Sequence, residues 1–413
     1  MPALVRFGAG SSVESIQIQL PVQGEGSGGF EVIRESLEKR AAAVSGARDA
    51  YSTWPASLHW YGSRFGHNAY LALMDLAEID GQQIKCCTGR SEEVTGGLQA
   101  LQTAKAIVVD ISALATLRLL GLERILSSTK FNFIISEHTW VTFQTMLLNA
   151  RILDAPSGTL TIEDGKNVIY EHTAEQKAQR LREDRGFVQF VEQFTERKGA
   201  PALAAVEPDR RELLEKLFGS YGAESVVLAS DPDYVLWTDD LVQAHLAGQE
   251  FGDRRVWTQL VLGALTDAGL LTPDEYGDAS AKLVGMEFAV TLFDGSSMIA
   301  ALKLAGWALD KRPAAQIIKT FADERTDLQR LVKIFVEFTA RLYRESVDPG
   351  TRCSVTQKFL DTLAARTGAL ALLHELRRLT PRVFGLNEIG RVQFENCFDS
   401  WLRHRGGPII HLP

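Results

Sequence analysis

Lys105-Ala-Ile-Val-Val-Asp110 is an apolar run that ends abruptly on a carboxylate, and Tyr234-Val-Leu-Trp-Thr-Asp239-Asp240 repeats that pattern further along the chain. A short run of β-formers bounded by polar residues reads as a parallel strand buried on both faces. In open α/β sheets, ligands bind at the carboxyl ends of such strands. Two strands that each deliver Asp to that edge can build an acidic cluster, and oxygen-rich clusters hold Mg²⁺ or Mn²⁺. The plainer reading is that each Asp caps the helix that follows, since Asp is a favoured N-cap. From the residues alone, both readings stand.

Outward from residue 105 the pattern alternates between strand and helix. Ala106 to Val109 forms the first strand and Ile111 to Leu126 reads as helical. Phe131 to Ile135 is a second strand, with Ser136 capping a helix that runs through Leu148. Thr159-Leu-Thr-Ile162, Asp164-Gly165 and Val168-Ile-Tyr170 give a hairpin signature, an Asp-Gly turn between two alternating runs. Residues 174–197 and 209–218 read as helices, with Pro208 and Asp209 opening the second and Leu213, Leu214, Leu217 and Phe218 on one face. Val235 to Trp237 is the third main strand, and Arg255-Val-Trp-Thr258 a fourth.

Upstream lie a strand at Ile16 to Leu20, a Gly/Ser-rich linker at 24–29, a helix opening at Phe30, another over Asn68 to Ala77, and a short strand at Gln83 to Cys87. Beyond about residue 266 the strand signals fade, and Leu328, Leu331, Val332, Phe335 and Leu342 mark a helical face, as do residues from Phe359 to Leu376. The division expected is 1–29 strand and linker, 30–104 helical extension, 105–265 α/β domain with an insertion at 157–225, and 266–413 helical lobe.

The formal net charge of −8 speaks against a surface coated in cations for non-specific nucleic-acid binding, though contacts to such a substrate can be local. Cys86, Cys87, Cys353 and Cys397 make no C-x-x-C pair, which argues against zinc, and so few cysteines suit a reducing cytoplasm. No run approaches ~20 apolar residues, so no membrane partner is expected. The eight histidines are scattered, and no G-x-S-x-G elbow supports serine catalysis. Arg377, Arg378, Arg382, Arg391, Arg403 and Arg405 make the C-terminus basic, either as a solvated helix face or as a strip for phosphates. Phe384, Phe394, Phe398 and Trp401 nearby, like Trp237, Trp257 and Trp307, read as packing residues.

Ile107-Val-Val-Asp110-Ile-Ser-Ala-Leu114, Ile134-Ile-Ser-Glu-His-Thr-Trp140 and Leu236-Trp-Thr-Asp-Asp-Leu241, in that order, resemble the PIN-domain family of metal-dependent nucleases. The resemblance covers roughly residues 105–265 and implies an α/β fold with a mostly parallel central sheet flanked by helices. Trp54-Pro-Ala-Ser-Leu-His-Trp60 and Val256-Trp-Thr-Gln-Leu260 add a looser likeness, to the C-terminal PIN-like module of large bacterial proteins that carry tetratricopeptide repeats and are associated with intracellular conflict.

The resemblance implies a divalent-metal-dependent endoribonuclease that uses Mg²⁺ or Mn²⁺. Asp110 would be the bridging ligand, Asp240 would complete the cluster, and Asp239 and Glu137 would support it. RNA is the expected substrate, with single-stranded DNA as a variant of it, and protein partners or a homo-oligomer complete the expected interactions. The chain departs from the family pattern at the second acidic position, which falls near Thr142; Glu137 at the first turn is the only acid nearby. A fourth acid is missing from Val256-Trp-Thr-Gln259, and only Asp253 is close in sequence. The alternative function is therefore a catalytically reduced PIN-like module that binds a partner or nucleic acid and transmits a signal.

Overall fold

The computed structural model describes residues 15–17, 28–152, 157–163, 166–252, 254–324, 326–369, 373, 376 and 382–405. The chain divides into two compact units, Met1–Ala264 and Leu265–Pro413.

The first unit opens with β1 (Ser15–Gln17), α1 (Gly28–Thr53), α2 (Leu58–Ser63), α3 (Ala69–Glu78) and α4 (Ser91–Thr103). Next come β2 (Ala106–Val109), α5 (Ile111–Leu120), β3 (Asn132–Ser136), α6 (Glu137–Ile152), β4 (Ser157–Glu163), β5 (Lys166–His172) and α7 (Ala174–Phe194). It continues through β6 (Glu196–Lys198), α8 (Pro208–Ala229), β7 (Tyr234–Trp237), α9 (Leu241–Phe251), β8 (Arg255–Val256) and α10 (Thr258–Asp267).

The central sheet has the order β6-β3-β2-β7-β8, and every pairing in it is parallel. Ile107 lies opposite Phe133 on one side and Val235 on the other, so β2 is the middle strand. All four residues of β2 are buried, as a strand covered by helices on both faces requires. On one face Val108, Ile134 and Leu236 pack with Val226 and Ala229 of α8 and Ala247 of α9. The parallel register brings the ends of β2, β3 and β7 to one edge of the sheet, where the candidate residues follow.

Several elements differ from the sequence reading. The helix after Asp110 stops at Leu120, because Gly121 adopts a left-handed φ of 69° and ends it; a 3-10 turn at Glu123–Ser127 takes over. Only Ile84 makes a bridge in the stretch read as a strand at Gln83 to Cys87. The fourth strand is confined to Arg255–Val256, since Thr258 already begins α10. The hairpin of β4 and β5 is present and forms a separate antiparallel sheet with β1; its Asp164-Gly165 lies outside the described residues. Residues 157–225, read as an insertion, also supply β6 at the edge of the central sheet and α8 against its face.

The second unit is helical: α11 (Pro273–Gly285), α12 (Gly295–Leu304), α13 (Ala314–Ala322), α14 (Leu328–Leu342), α15 (Pro349–Ala364) and α16 (Glu388–His404). Phe335 and Phe338 of α14, Phe359 of α15, Phe384, and Phe394, Phe398 and Trp401 of α16 are buried in one core, which settles their role as packing residues. Cys353 and Cys397, which the sequence did not pair, form a disulfide between α15 and α16 with Cα atoms 5.6 Å apart. Arg391 is held by Glu388 at 3.0 Å and Glu395 at 3.1 Å, and Arg405 by Asp361 at 3.1 Å, so acids offset this part of the basic strip. Arg377 and Arg378 lie outside the described residues. Among the described residues, no helix is long and apolar enough to cross a membrane.

Candidate functional site at the carboxyl edge of the sheet

Asp110 follows the last residue of the middle strand and caps α5. Its Oδ2 accepts from the Ser112 amide at 3.0 Å and the Ser112 hydroxyl at 2.7 Å. Its Oδ1 accepts from Nε2 of Gln243 at 3.0 Å. Thr238, on the neighbouring strand end, bridges Ser112 at 3.1 Å and the Gln243 carbonyl oxygen at 3.0 Å.

Asp240 follows β7 and caps α9, its Oδ1 accepting from the amides of Val242 at 2.9 Å and Gln243 at 3.1 Å. Its Oδ2 accepts from the Leu58 amide at 2.6 Å, so the first residue of α2 reaches the same carboxylate. Asp239 points elsewhere. Its Oδ1 accepts from the Thr258 amide at 2.8 Å and its Oδ2 from the Thr258 hydroxyl, which makes it the cap of α10.

The three aspartates are 1%, 1% and 4% exposed for Asp110, Asp239 and Asp240. Burial pushes all three above the ordinary carboxylate range, because the charged form loses its water. Asp240 is raised to about 7, mainly by burial and further by the charge of Asp110. Asp110 acts on Asp239 in the same direction. The structure thus gathers Asp110, Asp239 and Asp240 at one edge, where the hydrogen bonds of helix starts offset part of their cost.

Glu137 is not drawn into this group. It sits exposed at the first turn of α6. Thr142, at the position where the family pattern has an acid, donates its hydroxyl to the His138 carbonyl at 2.7 Å. Asp253 lies outside the described residues. Among the described residues, no group of three or more His, Cys, Asp or Glu side chains is arranged to hold a metal ion. Mg²⁺ demands near-octahedral oxygen ligation. Here all six carboxylate oxygens of the aspartates already accept from N–H or O–H groups of the chain. Among the described residues, then, neither Glu137 nor another acid completes a metal-binding group with the aspartates.

Three residues that sequence reasoning missed shape this edge. Gln243 reads locally as part of a capping pattern, Asp240-Leu-Val-Gln243, yet its amide spans to Asp110 and to the Gly222 carbonyl at 3.2 Å. Glu224 is a lone acid in the apolar stretch Gly222-Ala-Glu-Ser-Val-Val-Leu-Ala229, a pattern that does signal a buried, committed carboxylate. It is 5% exposed, and its Oε2 accepts from the His138 amide at 2.7 Å and lies 3.0 Å from His138 Nδ1. Its Oε1 accepts from the Ala200 amide at 3.2 Å. Tyr221 is the third. Its hydroxyl accepts from the Ala69 amide at 2.8 Å and lies 2.7 Å from His59 Nδ1.

His59, His138, Thr142, Lys216, Gly219 and Tyr221 line an open cleft of about 670 Å³. α8 kinks at Gly219, where φ is 71° and ψ is 166°. A Cβ there would sit 2.8 Å from the Tyr221 ring and 3.0 Å from His59 Nδ1, so the kink and the close approach both need glycine. Burial lowers the pKa of His59. It raises that of Tyr221, with the charges of Asp110 and Asp240 adding to the effect.

Neither the curated proteins nor the solved structures give a match to this chain. Val108 to Ala247, the stretch that holds the middle strand, the Thr238-Asp239-Asp240 strand end and α8, matches the family model described as the PIN domain associated with the TPR-GreAB-C-PIN system. Residues 108–247 are therefore a PIN domain of that family, and they supply most of the all-parallel five-stranded sheet and of the helices on its flanks.

Proposed function

We propose that this PIN domain is the catalytically reduced binding and signalling module of a bacterial conflict-system protein, and that its acidic cluster holds the fold together instead of holding a cation. The observation that carries this reading is the Leu58 amide bonded to Asp240 Oδ2 together with the Gln243 amide bonded to Asp110 Oδ1. Both place N–H dipoles where a nuclease of this class would need open oxygens. Near-complete burial of the aspartates supports the same reading, since a hydrolytic metal must meet substrate and water. RNA remains the first ligand to test, with a protein partner or a second copy of the chain as the alternatives.

The test compares RNA cleavage by the full chain with added Mn²⁺ or Mg²⁺ and with a chelator, alongside Asp110→Asn. The reading predicts that neither cation raises the rate above the chelated control. Cation-stimulated cleavage that Asp110→Asn removes would restore the metal-dependent nuclease and overturn the proposal.

A further inference from the structure

The cleft between α2, α6 and α8 is lined by two histidines whose tautomers are decided by the hydrogen bonds around them. The Tyr221 hydroxyl accepts from the Ala69 amide and lies 2.7 Å from His59 Nδ1. Its own proton is buried and has no other acceptor among the described residues, so it goes to Nδ1, and His59 keeps its hydrogen on Nε2. Burial lowers the pKa of His59, which favours this neutral ring. His138 is the reverse case. Its Nδ1 is 3.0 Å from Glu224 Oε2, and Glu224 already accepts from the amides of His138 and Ala200. Nδ1 therefore carries the hydrogen and donates it to that carboxylate, and the neutral ring has its lone pair on Nε2. Neither Nε2 makes a hydrogen bond among the described residues. The cleft thus offers an N–H donor from His59 and a nitrogen acceptor from His138.

The charges beside the two rings complete the pattern. Glu212 and Glu215 line the cleft three positions apart on α8, so they share one face of it, and neither forms an ion pair among the described residues. Lys216 is the lysine of the lining, which leaves the cleft acidic while both rings are neutral. Val141 adds an apolar wall with 49% of its surface exposed, and Leu148, two turns further along the same face of α6, is 55% exposed. We propose that this cleft binds an extended segment of a partner protein that carries a lysine or arginine beside an aliphatic residue. The cationic side chain meets Glu212 and Glu215, and the aliphatic one packs on Val141. Peptide groups of the segment give a carbonyl to His59 Nε2 and an N–H to His138 Nε2. An extended segment fits because its N–H and C=O groups are free, whereas those of a helix already bond internally. Nucleic acid fits poorly, since its phosphates would lie against Glu212 and Glu215 with Lys216 to offset them. This occupant rests on the domain being a binding module.

The experiment selects binders from a displayed library of random short peptides on the immobilised full chain in EDTA, then measures the selected sequences as fluorescent synthetic peptides by anisotropy. Enrichment of Lys or Arg next to Val, Leu or Ile is the expected result. The double variant E212K/E215K should weaken the selected peptide about tenfold, as reversal of exposed charge partners would. His138→Ala should weaken it about fivefold, the usual worth of a single hydrogen bond. One backbone N-methylation along the peptide should cost that same factor against the parent and nothing against His138→Ala, which separates a lost acceptor from a disturbed fold. No enriched sequence, enriched sequences without a cationic residue, or equal binding to parent and E212K/E215K would each overturn the proposal. So would an RNA oligonucleotide that binds the parent more tightly than any selected peptide and loses that binding in His138→Ala. EDTA removes any cation from the aspartates, so failure here removes only this occupant, whereas cation-stimulated RNA cleavage would remove the binding-module reading itself.

Discussion

Gln243 Nε2 lies 3.0 Å from Asp110 Oδ1 and 3.2 Å from the Gly222 carbonyl, so one amide ties the end of the middle strand to α8 through α9. The same side chain accepts from Thr238 at 3.0 Å, and Thr238 sits at the end of the neighbouring strand. A neutral amide thus occupies the space beside the Asp110 carboxylate. In a nuclease of this class, a cation would take that place.

Removing that amide should be costly. Gln243→Ala leaves Asp110 Oδ1 and the Gly222 carbonyl buried without their donor, and each orphaned group costs about 1–3 kcal/mol. Hydrogen exchange of the Val108 and Val109 amides should report a matching drop in the opening free energy of the first unit. Unchanged protection would show that Gln243 is a bystander.

Much of this arrangement was legible in the sequence, for a definite reason. Val109-Asp110 and Thr238-Asp239-Asp240 end buried parallel strands, so strand pattern alone puts all three acids on one edge. The capping reading is equally available from residue type, and the geometry makes it true of Asp110 and Asp240, whereas Asp239 engages the start of α10 instead of the helix that follows it. What could not be read is whatever depends on partners distant in sequence. The donor from Leu58 is a backbone amide, which any residue but proline carries, so nothing at position 58 announces it. Gln243 satisfies a local pattern while acting elsewhere. Glu137 is the only acid near the expected turn, and it stands exposed at the start of α6, outside any metal-binding group among the described residues. The acid that does sit beneath that turn, Glu224, comes from a helix the sequence reading had assigned to an insertion.

The aspartates also set a pH dependence. Burial raises the folded pKa of Asp110, Asp239 and Asp240 above 3.8, and that of Asp240 to about 7. An acid raised in this way contributes stability that is fully present below its unfolded pKa and lost as pH rises through the folded value. The first unit should therefore lose stability between about pH 4 and pH 7, with Asp240 alone accounting for a loss on the order of 4 kcal/mol. Hydrogen exchange of β2 across that range checks it, and Asp240→Asn should flatten the slope. A parent profile as flat as the variant's would refute this account of the buried charge.

Gly219 offers a separate handle on the cleft. Gly219→Ala puts a Cβ within 2.9 Å of two Tyr221 ring atoms at a φ of 71°. The strain should cost about 1–3 kcal/mol and push His59 off the Tyr221 hydroxyl. Thermal melting should show the loss, and the ring resonances of His59 should shift. A variant that melts with the parent and leaves His59 in place would mean that α8 does not depend on this kink.

The central claim is that Asp110, Asp239 and Asp240 are helix caps whose oxygens are already engaged, and calorimetric titration of the full chain with Mn²⁺ tests it most directly. The account predicts no saturable heat up to about 1 mM, the loose end of biological cation sites, and the same trace for Asp110→Asn. A saturable isotherm in the parent that Asp110→Asn abolishes would contradict it, and would return the cluster to the role of a metal centre.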